Sequence, residues 1–163
     1  MSEKRQLAAI MFTDIVGYTA LMGKDERAAY QLLKQNRGVQ KPLIQKYGGK
    51  WLKEMGDGVL ASFDTVTDAV NCAIRIQSVC KKVDDLTLRI GIHLGEVIVD
   101  EGDVFGDGVN IASRIEQLAP AGGIYISESV YNNIKNRKDI LTEFIGEESL
   151  KNVYYPVRIF QVN

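Results

Sequence analysis

The stretch KWLKEMGDGVLASF, residues 50–63, contains a clear local structural signal. It predicts two short strands, Lys50–Met55 and Val59–Phe63, separated by the triplet Gly56-Asp57-Gly58. Glycine and aspartate between two such runs are a strong signal for a β-hairpin, because these residues accept the backbone angles of a tight turn. The sequence therefore predicts a hairpin with the Asp57 carboxylate at its tip.

A strand and a long helix precede the hairpin. The apolar run Leu7–Phe12 predicts a strand covered on both faces, and Asp14 follows it directly. Apolar residues at helical spacing then run from Asp25, an expected N-cap, to Tyr47, where two glycines end the helix. Pro42 predicts a kink or a break in this helix, because proline lacks the backbone N–H that a helix interior uses.

Helices and strands alternate after the hairpin. A helical pattern of apolar residues contains Cys72 and Cys80. The runs Leu86–His93 and Glu96–Asp100 predict two strands with a turn at Gly95. The remaining expected elements are a helix from Asp107 or Gly108 to Leu118, with Asp107 as its N-cap, a strand over Gly123–Ile126, a short helix capped by Ser127, and two weaker strands near Ile140–Ile145 and Val157–Val162.

The order of these elements predicts the fold class. Strand, helix, two strands, helix and strand match the split βαβ pattern of ferredoxin-like folds. We therefore expect an α+β fold with a ferredoxin-like βαββαβ core and additional C-terminal strands and a helix. No internal repeat, linker or low-complexity tract interrupts residues 1–163, so we expect a single domain.

Composition narrows the possible functions. Apolar residues make up 45% of the chain and charged residues 25%, which excludes a disordered chain, a collagen-like fibre and a coiled coil. A net charge of −1 indicates neither nucleic acid nor an anionic membrane as a partner. No apolar stretch approaches the ~18 residues of a membrane span, and Asp14 interrupts the N-terminal apolar run before a signal-peptide core could form. We expect a cytoplasmic protein without membrane insertion.

The cysteines and the histidine predict no metal site of their own. Cys72 and Cys80 lie on one expected helix, where eight residues span ~12 Å, too far for a disulfide. We expect two buried free thiols. His93, the only histidine, has no nearby cysteine and is interpreted as structural.

Two carboxylates are expected to meet at one edge of the sheet. If the strand before Asp14 pairs with the hairpin that carries Asp57, both side chains reach the same edge. Carboxylates at short distance repel each other unless a cation lies between them, and such oxygen ligands suit Mg²⁺ or Mn²⁺. The loop after Asp14 also offers backbone N–H groups to a phosphate. Aspartate and glycine are ordinary turn residues too, so the residues alone leave a plain turn open at each site.

Three motifs carry a resemblance to a known family. FTDIVGYT (residues 12–19), KEMGDGVLASF (residues 53–63) and DVFGDGVNIASRIE (residues 103–116) resemble, in this order, the catalytic domain of the class III nucleotidyl cyclases. These enzymes make cyclic AMP or cyclic GMP from the nucleoside triphosphate. The resemblance runs from about residue 8 to residue 162 and implies a phosphorus–oxygen lyase.

The resemblance implies a set of residues for metal and phosphate. Asp14 and Asp57 match the family's two metal-binding aspartates, and the Ile15 carbonyl matches a further ligand. Together they would hold two divalent cations per site, Mg²⁺ or Mn²⁺. The residues that match the family's phosphate-binding positions are Val16, Gly17, Tyr18, Thr19 and Lys151.

A second implied set concerns the base, the ribose and the transition state. Lys53 and Asp103 match the base-reading positions of adenylyl cyclases, whereas guanylyl cyclases carry Glu at the first. A lysine only donates and an ionised aspartate only accepts hydrogen bonds, which fits the edge of adenine. Asn110 matches the residue that orients the ribose, and Arg114 matches the one that stabilises the transition state at the α-phosphate. Their spacing of four residues puts both on one face of a helix.

In this family the metal set and the base-reading set of one site come from opposite chains of a dimer. This chain contains both sets, so the resemblance implies a homodimer with two equivalent composite sites and ATP as the substrate. Catalytic domains of this family are usually fused to sensor, membrane or receiver modules. A fused or separate regulatory domain therefore stays open.

Three alternatives to an adenylyl cyclase fit the sequence less well. Lys53 and Asp103 oppose a guanylyl cyclase. A non-catalytic nucleotide-binding module on the same fold would be expected to lack an aspartate, the asparagine or the arginine, and all are present. A diguanylate cyclase would carry a GG[DE]EF hairpin, whereas the tip here is MGDGV. The sequence favours an adenylyl cyclase that converts ATP to 3′,5′-cyclic AMP and pyrophosphate by two-metal-ion catalysis.

Overall fold

The computed structural model describes residues 4–163, which contain eight strands and five helices. The strands are β1 (Lys4–Ile15), β2 (Lys50–Met55), β3 (Gly58–Phe63), β4 (Leu88–Asp100), β5 (Asp103–Phe105), β6 (Ile124–Ser127), β7 (Thr142–Glu148) and β8 (Val157–Val162). The helices are α1 (Tyr18–Lys24), α2 (Glu26–Lys46), α3 (Val66–Cys80), α4 (Asp107–Leu118) and α5 (Glu128–Ile134).

All eight strands belong to one sheet. Its first half has the order β2-β3-β1-β4, in which β1 pairs antiparallel with both β3 and β4. With α2 and α3 as the two crossover helices, this order is that of a ferredoxin-like βαββαβ core. On the far side of β4, β6 pairs in parallel, and β8 and β7 extend the sheet antiparallel. The predicted α+β class, with its ferredoxin-like core and C-terminal additions, is confirmed.

The side chains of β1 alternate between two cores. Ala9 and Met11 pack into the core that also contains residues of α2 and α3, whereas Ala8 and Ile10 pack into a second core with Ala112 of α4. Successive residues of a strand point to opposite faces. A strand that is covered on both faces therefore carries apolar residues at successive positions, without alternating polar ones. The unbroken apolar run at this point of the sequence follows from that double coverage.

The two long helices begin at capping side chains. Asp25 accepts a hydrogen bond from the Ala28 backbone N–H (3.1 Å), as expected for the N-cap of α2. The break expected at Pro42 does not occur, because α2 continues to Lys46. Thr65 caps α3 in the same way, and the two cysteines of α3 are buried free thiols, as predicted.

The turn predicted at Gly95 was wrong. β4 is one continuous strand that pairs with β1 from Leu88 to Val99. A Cβ at Gly95 would lie 2.9 Å from His93 Nε2 and 3.5 Å from the Cα of Gly108 in α4. The glycine therefore permits the close approach of α4 to the strand. The chain instead reverses after Asp100, where β5 folds back on β4.

Two element boundaries also differ from expectation, and one predicted cap lacks its hydrogen bond. β1 extends to Ile15, so Asp14 lies inside the strand. The N-cap of α4 is Gly106, with Asp107 in the first turn. Ser127 occupies the N-cap position of α5 without a capping hydrogen bond, and its hydroxyl lies 2.7 Å from His93 Nδ1. In the part of the chain that the structure describes, no helix has the length and hydrophobicity needed to cross a bilayer.

Candidate active site

The pairing of β1 with β3 brings the hairpin tip to the end of β1. Thr13 lies opposite Val59, so the Asp57 side chain reaches the last residues of β1. Asp57 Oδ2 accepts a hydrogen bond from the Ile15 backbone N–H at 2.9 Å. Asp14 and Asp57 line the same cavity, which has a volume of about 400 Å³.

The end of β1, the loop after it and the first turn of α1 line the same cavity as these carboxylates. Ile15 through Ala20 line the cavity. Gly17 adopts a φ of 80°, which favours glycine, and α1 begins directly after it. The Val16 N–H donates to the Thr87 carbonyl at 2.8 Å, so that N–H already has a partner. Of the expected phosphate-binding residues, this leaves Gly17, Tyr18 and Thr19 in the cavity as those that could hold an anion through the loop.

Burial and charge repulsion act on Asp57. Burial raises the pKa of its carboxyl, the hydrogen bond from Ile15 opposes that rise, and the nearby charge of Asp14 adds to it. The nearby negative charge of Asp14 makes the Asp57 carboxylate unfavourable unless a cation is present. The two carboxylates therefore form a site that is electrostatically prepared for positive charge.

Arg89 supplies positive charge to this site in the structure. It lies on β4 opposite Asp14 and lines the same cavity. Its Nε donates to Asp14 Oδ1 at 2.9 Å, and its Nη2 donates to Asp14 Oδ2. This bidentate contact raises the pKa of the Arg89 guanidinium.

A buried carboxylate lies behind Arg89. Glu116 of α4 is 3% exposed, and its Oε2 is 3.6 Å from Arg89 Nη2. Burial, followed by the charge of Asp14, raises the pKa of Glu116, although the Arg89 charge opposes the rise. Gly91 lets α4 come this close, because a Cβ there would lie 2.4 Å from the Glu116 backbone nitrogen.

Sequence reasoning missed both Arg89 and Glu116. Each left a signal in the sequence. Arg89 is a charged residue within an otherwise apolar strand pattern, and Glu116 continues the buried stripe of α4 that contains Ala112. Glu116 is a charged residue at a buried position, which requires a partner, so its place in the sequence could have predicted a cationic side chain nearby.

The two expected base-reading residues contact each other. Lys53 of β2 and Asp103 of β5 form an ion pair with an Nζ–Oδ1 distance of 2.8 Å. The hydrogen bond from Lys53 lowers the pKa of Asp103, with a contribution from the Val104 backbone N–H. Both side chains are more than one-third exposed, so a ligand can reach them.

Asn110 and Arg114 lie one turn apart on α4, as their spacing predicted, and both are half-buried. The Arg114 Nη1 donates weakly to Gln117 Oε1 at 3.4 Å, and its buried Nε has no hydrogen-bond partner. Lys151 is exposed in the connection between β7 and β8. It does not line the cavity that contains Asp14 and Asp57, and it is not part of the Lys53–Asp103 ion pair.

The predicted residues thus fall into separate groups within one chain. Among the described residues, those that line the Asp14–Asp57 cavity include none of Lys53, Asp103 and Asn110, nor Arg114 or Lys151. Within one chain, the cavity lined by Asp14, Asp57 and the loop after β1 does not include the base-reading pair Lys53 and Asp103. We call the first set the carboxylate group.

The donor set of the carboxylate group fits a divalent cation. Both candidate side-chain ligands are carboxylates, Ile15 lines the same cavity, and a guanidinium binds Asp14 as a cation would. Within residues 4–163, no three His, Cys, Asp or Glu side chains form a metal centre by themselves. Two carboxylates with further positions for water and phosphate are a common arrangement for Mg²⁺.

Several proteins that are similar to this chain in sequence or fold are named as cyclases. The family model for the "Adenylate and Guanylate cyclase catalytic domain" matches residues 1–161. A Rhizobium meliloti (strain 1021) protein, provisionally named adenylate cyclase 3, is 38% identical over 98% of this chain. The chain spans 28% of the length of that relative.

Solved structures agree in fold over nearly all of the chain. An adenylate/guanylate cyclase/hydrolase from Silicibacter pomeroyi is 33% identical with a TM-score of 0.90, covering 98% of both chains. The adenylyl cyclase CyaB from P. aeruginosa is 26% identical with a TM-score of 0.89, covering 100% of this chain and 96% of that one. The chain described here belongs to the family of adenylate and guanylate cyclase catalytic domains.

Proposed function

We propose that this chain is an adenylate cyclase domain that converts ATP to 3′,5′-cyclic AMP and pyrophosphate. The observation that carries this choice over GTP is the Lys53–Asp103 ion pair at 2.8 Å. One donor and one acceptor, presented together, complement the ring nitrogens and the amino group of adenine. The relatives named as adenylate cyclases support the same substrate.

The carboxylate group would hold the cations. Asp14, Asp57 and the Ile15 carbonyl are the proposed ligands for two Mg²⁺ or Mn²⁺ ions. Bound there, the ions would lower the pKa of the ribose 3′-hydroxyl and neutralise charge on the leaving pyrophosphate. Gly17, Tyr18 and Thr19 line the same cavity and are proposed to hold the terminal phosphates. Arg89 also lines it, and its guanidinium can bind phosphate oxygens.

The chemistry is an in-line displacement at the α-phosphorus. The O3′–Pα bond forms, the bond from Pα to the pyrophosphate oxygen breaks, and the hydroxyl proton is lost to solvent. Asn110 is proposed to orient the ribose, and Arg114 to stabilise the charge that develops on the phosphoryl oxygens. An arginine in that role contributes ~10³-fold or more in rate. Lys151 is proposed as a further phosphate ligand.

A homodimer would complete the site. Within one protomer the base-reading pair and α4 residues do not line the cavity that contains Asp14 and Asp57. We propose that the carboxylate group of one protomer faces the base-reading pair, Asn110 and Arg114 of its partner. Two equivalent sites follow from the twofold symmetry. Control by a fused or separate domain stays a prediction.

The proposal is tested by incubating the chain with ATP or GTP, each with Mg²⁺ or Mn²⁺, and measuring cyclic nucleotide and pyrophosphate. Asp57→Ala provides the blank. Cyclic AMP from ATP, with little cyclic GMP from GTP, is the expected result. Preferential formation of cyclic GMP would reassign the substrate. Absence of any product from a sample shown to be dimeric would contradict catalysis by this chain alone.

A further inference from the structure

The Arg89 side chain has several acceptors around it. Nε and Nη2 donate to the two carboxylate oxygens of Asp14, and Nη1 donates to the Gln117 carbonyl at 3.0 Å. Glu116 Oε2 lies 3.6 Å from Nη2, beyond a normal hydrogen bond. The guanidinium is therefore anchored on the α4 backbone while its other donors occupy Asp14.

This contact conflicts with cation binding. A bidentate guanidinium engages both oxygens of Asp14, and a divalent cation would bind the lone pairs that remain on the same oxygens. Two positive charges on one carboxylate repel each other. Cation binding at Asp14 therefore favours movement of the guanidinium away from it.

Glu116 offers the place to which it can move. Its Oε2 is buried and has no hydrogen-bond partner. An unpaired buried acceptor is costly, so a contact that satisfies it is favourable. A small rotation about the Gln117 anchor would bring Nη2 from Asp14 toward Glu116. The side chain would remain in the cavity that also contains the phosphate-binding loop.

We propose that Arg89 competes with the divalent cation for Asp14, and that Glu116 is the positioning residue that receives its guanidinium when the cation binds. The inference rests on the metal role proposed for Asp14 and Asp57. It adds that competition between Arg89 and the cation for Asp14 sets the affinity for the metal, even in the absence of nucleotide.

The test measures Mn²⁺ binding to the nucleotide-free chain by electron paramagnetic resonance of the free ion. Arg89→Met removes the competitor at similar length, and we expect Mn²⁺ to bind about tenfold more tightly. Arg89→Lys keeps the charge but loses the bidentate contact, and a smaller gain is expected. Asp57→Ala tests the site itself and should lose the binding.

Glu116 is tested through a double-mutant cycle. Glu116→Met removes the acceptor, so the displaced guanidinium has no partner and Mn²⁺ should bind about threefold or more weakly. In the Arg89→Met background the same change should have little effect, because no guanidinium remains to be received. Glu116→Gln keeps one acceptor oxygen, so its Mn²⁺ affinity should lie between those of the wild type and Glu116→Met. This variant replaces Glu116→Met in the cycle if the Met variant does not fold.

The outcomes separate the inference from the function on which it rests. Unchanged Mn²⁺ binding in Asp57→Ala, or no saturable binding even in Arg89→Met, would overturn the metal site and the inference together. Loss of binding in Asp57→Ala with no gain in Arg89→Met would overturn the competition alone. An effect of Glu116→Met that persists without Arg89 would show that Glu116 does not act through the guanidinium.

Discussion

Asp57 and Ile15, which are 42 positions apart, are joined by a hydrogen bond of 2.9 Å from the Ile15 N–H to Asp57 Oδ2. This contact ties the hairpin tip to the end of β1. It orients a carboxylate beside Asp14 before any cation arrives. The site is therefore built from two strands that pair in the sheet, and its geometry is set by the core of the fold.

Asp57→Asn should abolish most of the turnover without unfolding the chain. The amide oxygen can still accept from Ile15, but a neutral side chain is a poor ligand for Mg²⁺ or Mn²⁺. We expect cyclic AMP formation to fall by about 100-fold or more. The midpoint of thermal unfolding should stay unchanged or rise, since burial opposes the Asp57 charge. Retention of normal turnover would contradict the metal assignment.

The combined change Lys53→Glu and Asp103→Cys should shift the substrate preference. It replaces the donor Lys53 with an acceptor and removes the ionised acceptor Asp103, so adenine loses both of its proposed hydrogen-bonding partners. We expect the ratio of kcat/KM for ATP to that for GTP to fall by about tenfold or more. The ion pair is solvent-exposed, so stability should change little. An unchanged ratio would argue against a base-reading role.

Two inactive variants should restore activity when mixed. Asp14→Ala lacks the proposed metal ligand and Arg114→Ala lacks the proposed transition-state residue. If each site takes these residues from opposite protomers, a mixed dimer has one complete site. An equal mixture should then reach about a quarter of the wild-type rate. No recovery, with mixed dimers shown by mass spectrometry, would mean that each site is built within one protomer.

Gly91→Ala should destabilise the chain and lower turnover. Its Cβ would lie 2.4 Å from the nitrogen and 2.6 Å from the Cα of Glu116, which are backbone atoms that cannot rotate away. We expect a loss of roughly 1–3 kcal/mol in the free energy of unfolding. Because α4 also carries Asn110 and Arg114, the rate should fall as well. Gly38→Ala is the matched control, since its Cβ meets no atom within 4 Å and alanine favours the helix.

His93 should make the chain sensitive to acid. Burial lowers its pKa to about 4 from an ordinary value of 6.5. Between these values the unfolded chain binds the proton and the folded chain does not, so stability falls as the pH decreases from 6.5 toward 4. The total contribution is about 3 kcal/mol.

The effect is measured by urea unfolding of the wild type and His93→Asn from pH 7 to pH 4.5. Asparagine retains a polar group near the Ser127 hydroxyl that His93 Nδ1 contacts at 2.7 Å. The free energy of unfolding of the variant should depend less steeply on pH in this range. Parallel pH dependences would show that His93 does not contribute to the acid sensitivity.

Most of the local elements, and the family, could be predicted from the amino-acid sequence alone. Turn residues around Asp57 specify the hairpin, helical spacing specifies α2 and α3, and the element order specifies the ferredoxin-like core. The two cyclase motifs around Asp14 and Asp57 also contain the apolar residues that predict a strand and the glycines that predict the loop next to it. These features are encoded within short windows, so their physical causes are visible without any long-range contact.

The contacts between residues that are distant in the sequence could not be predicted from it and are seen only in the folded structure. Gly95 has the local signature of a turn, yet it lies within β4 because a helix packs against it there. The pairing of Arg89 with Asp14 and the burial of Glu116 behind it depend on strand register and on the approach of α4. No local pattern encodes these relationships, because each arises from backbone segments that meet only after the sheet and its covering helices have packed.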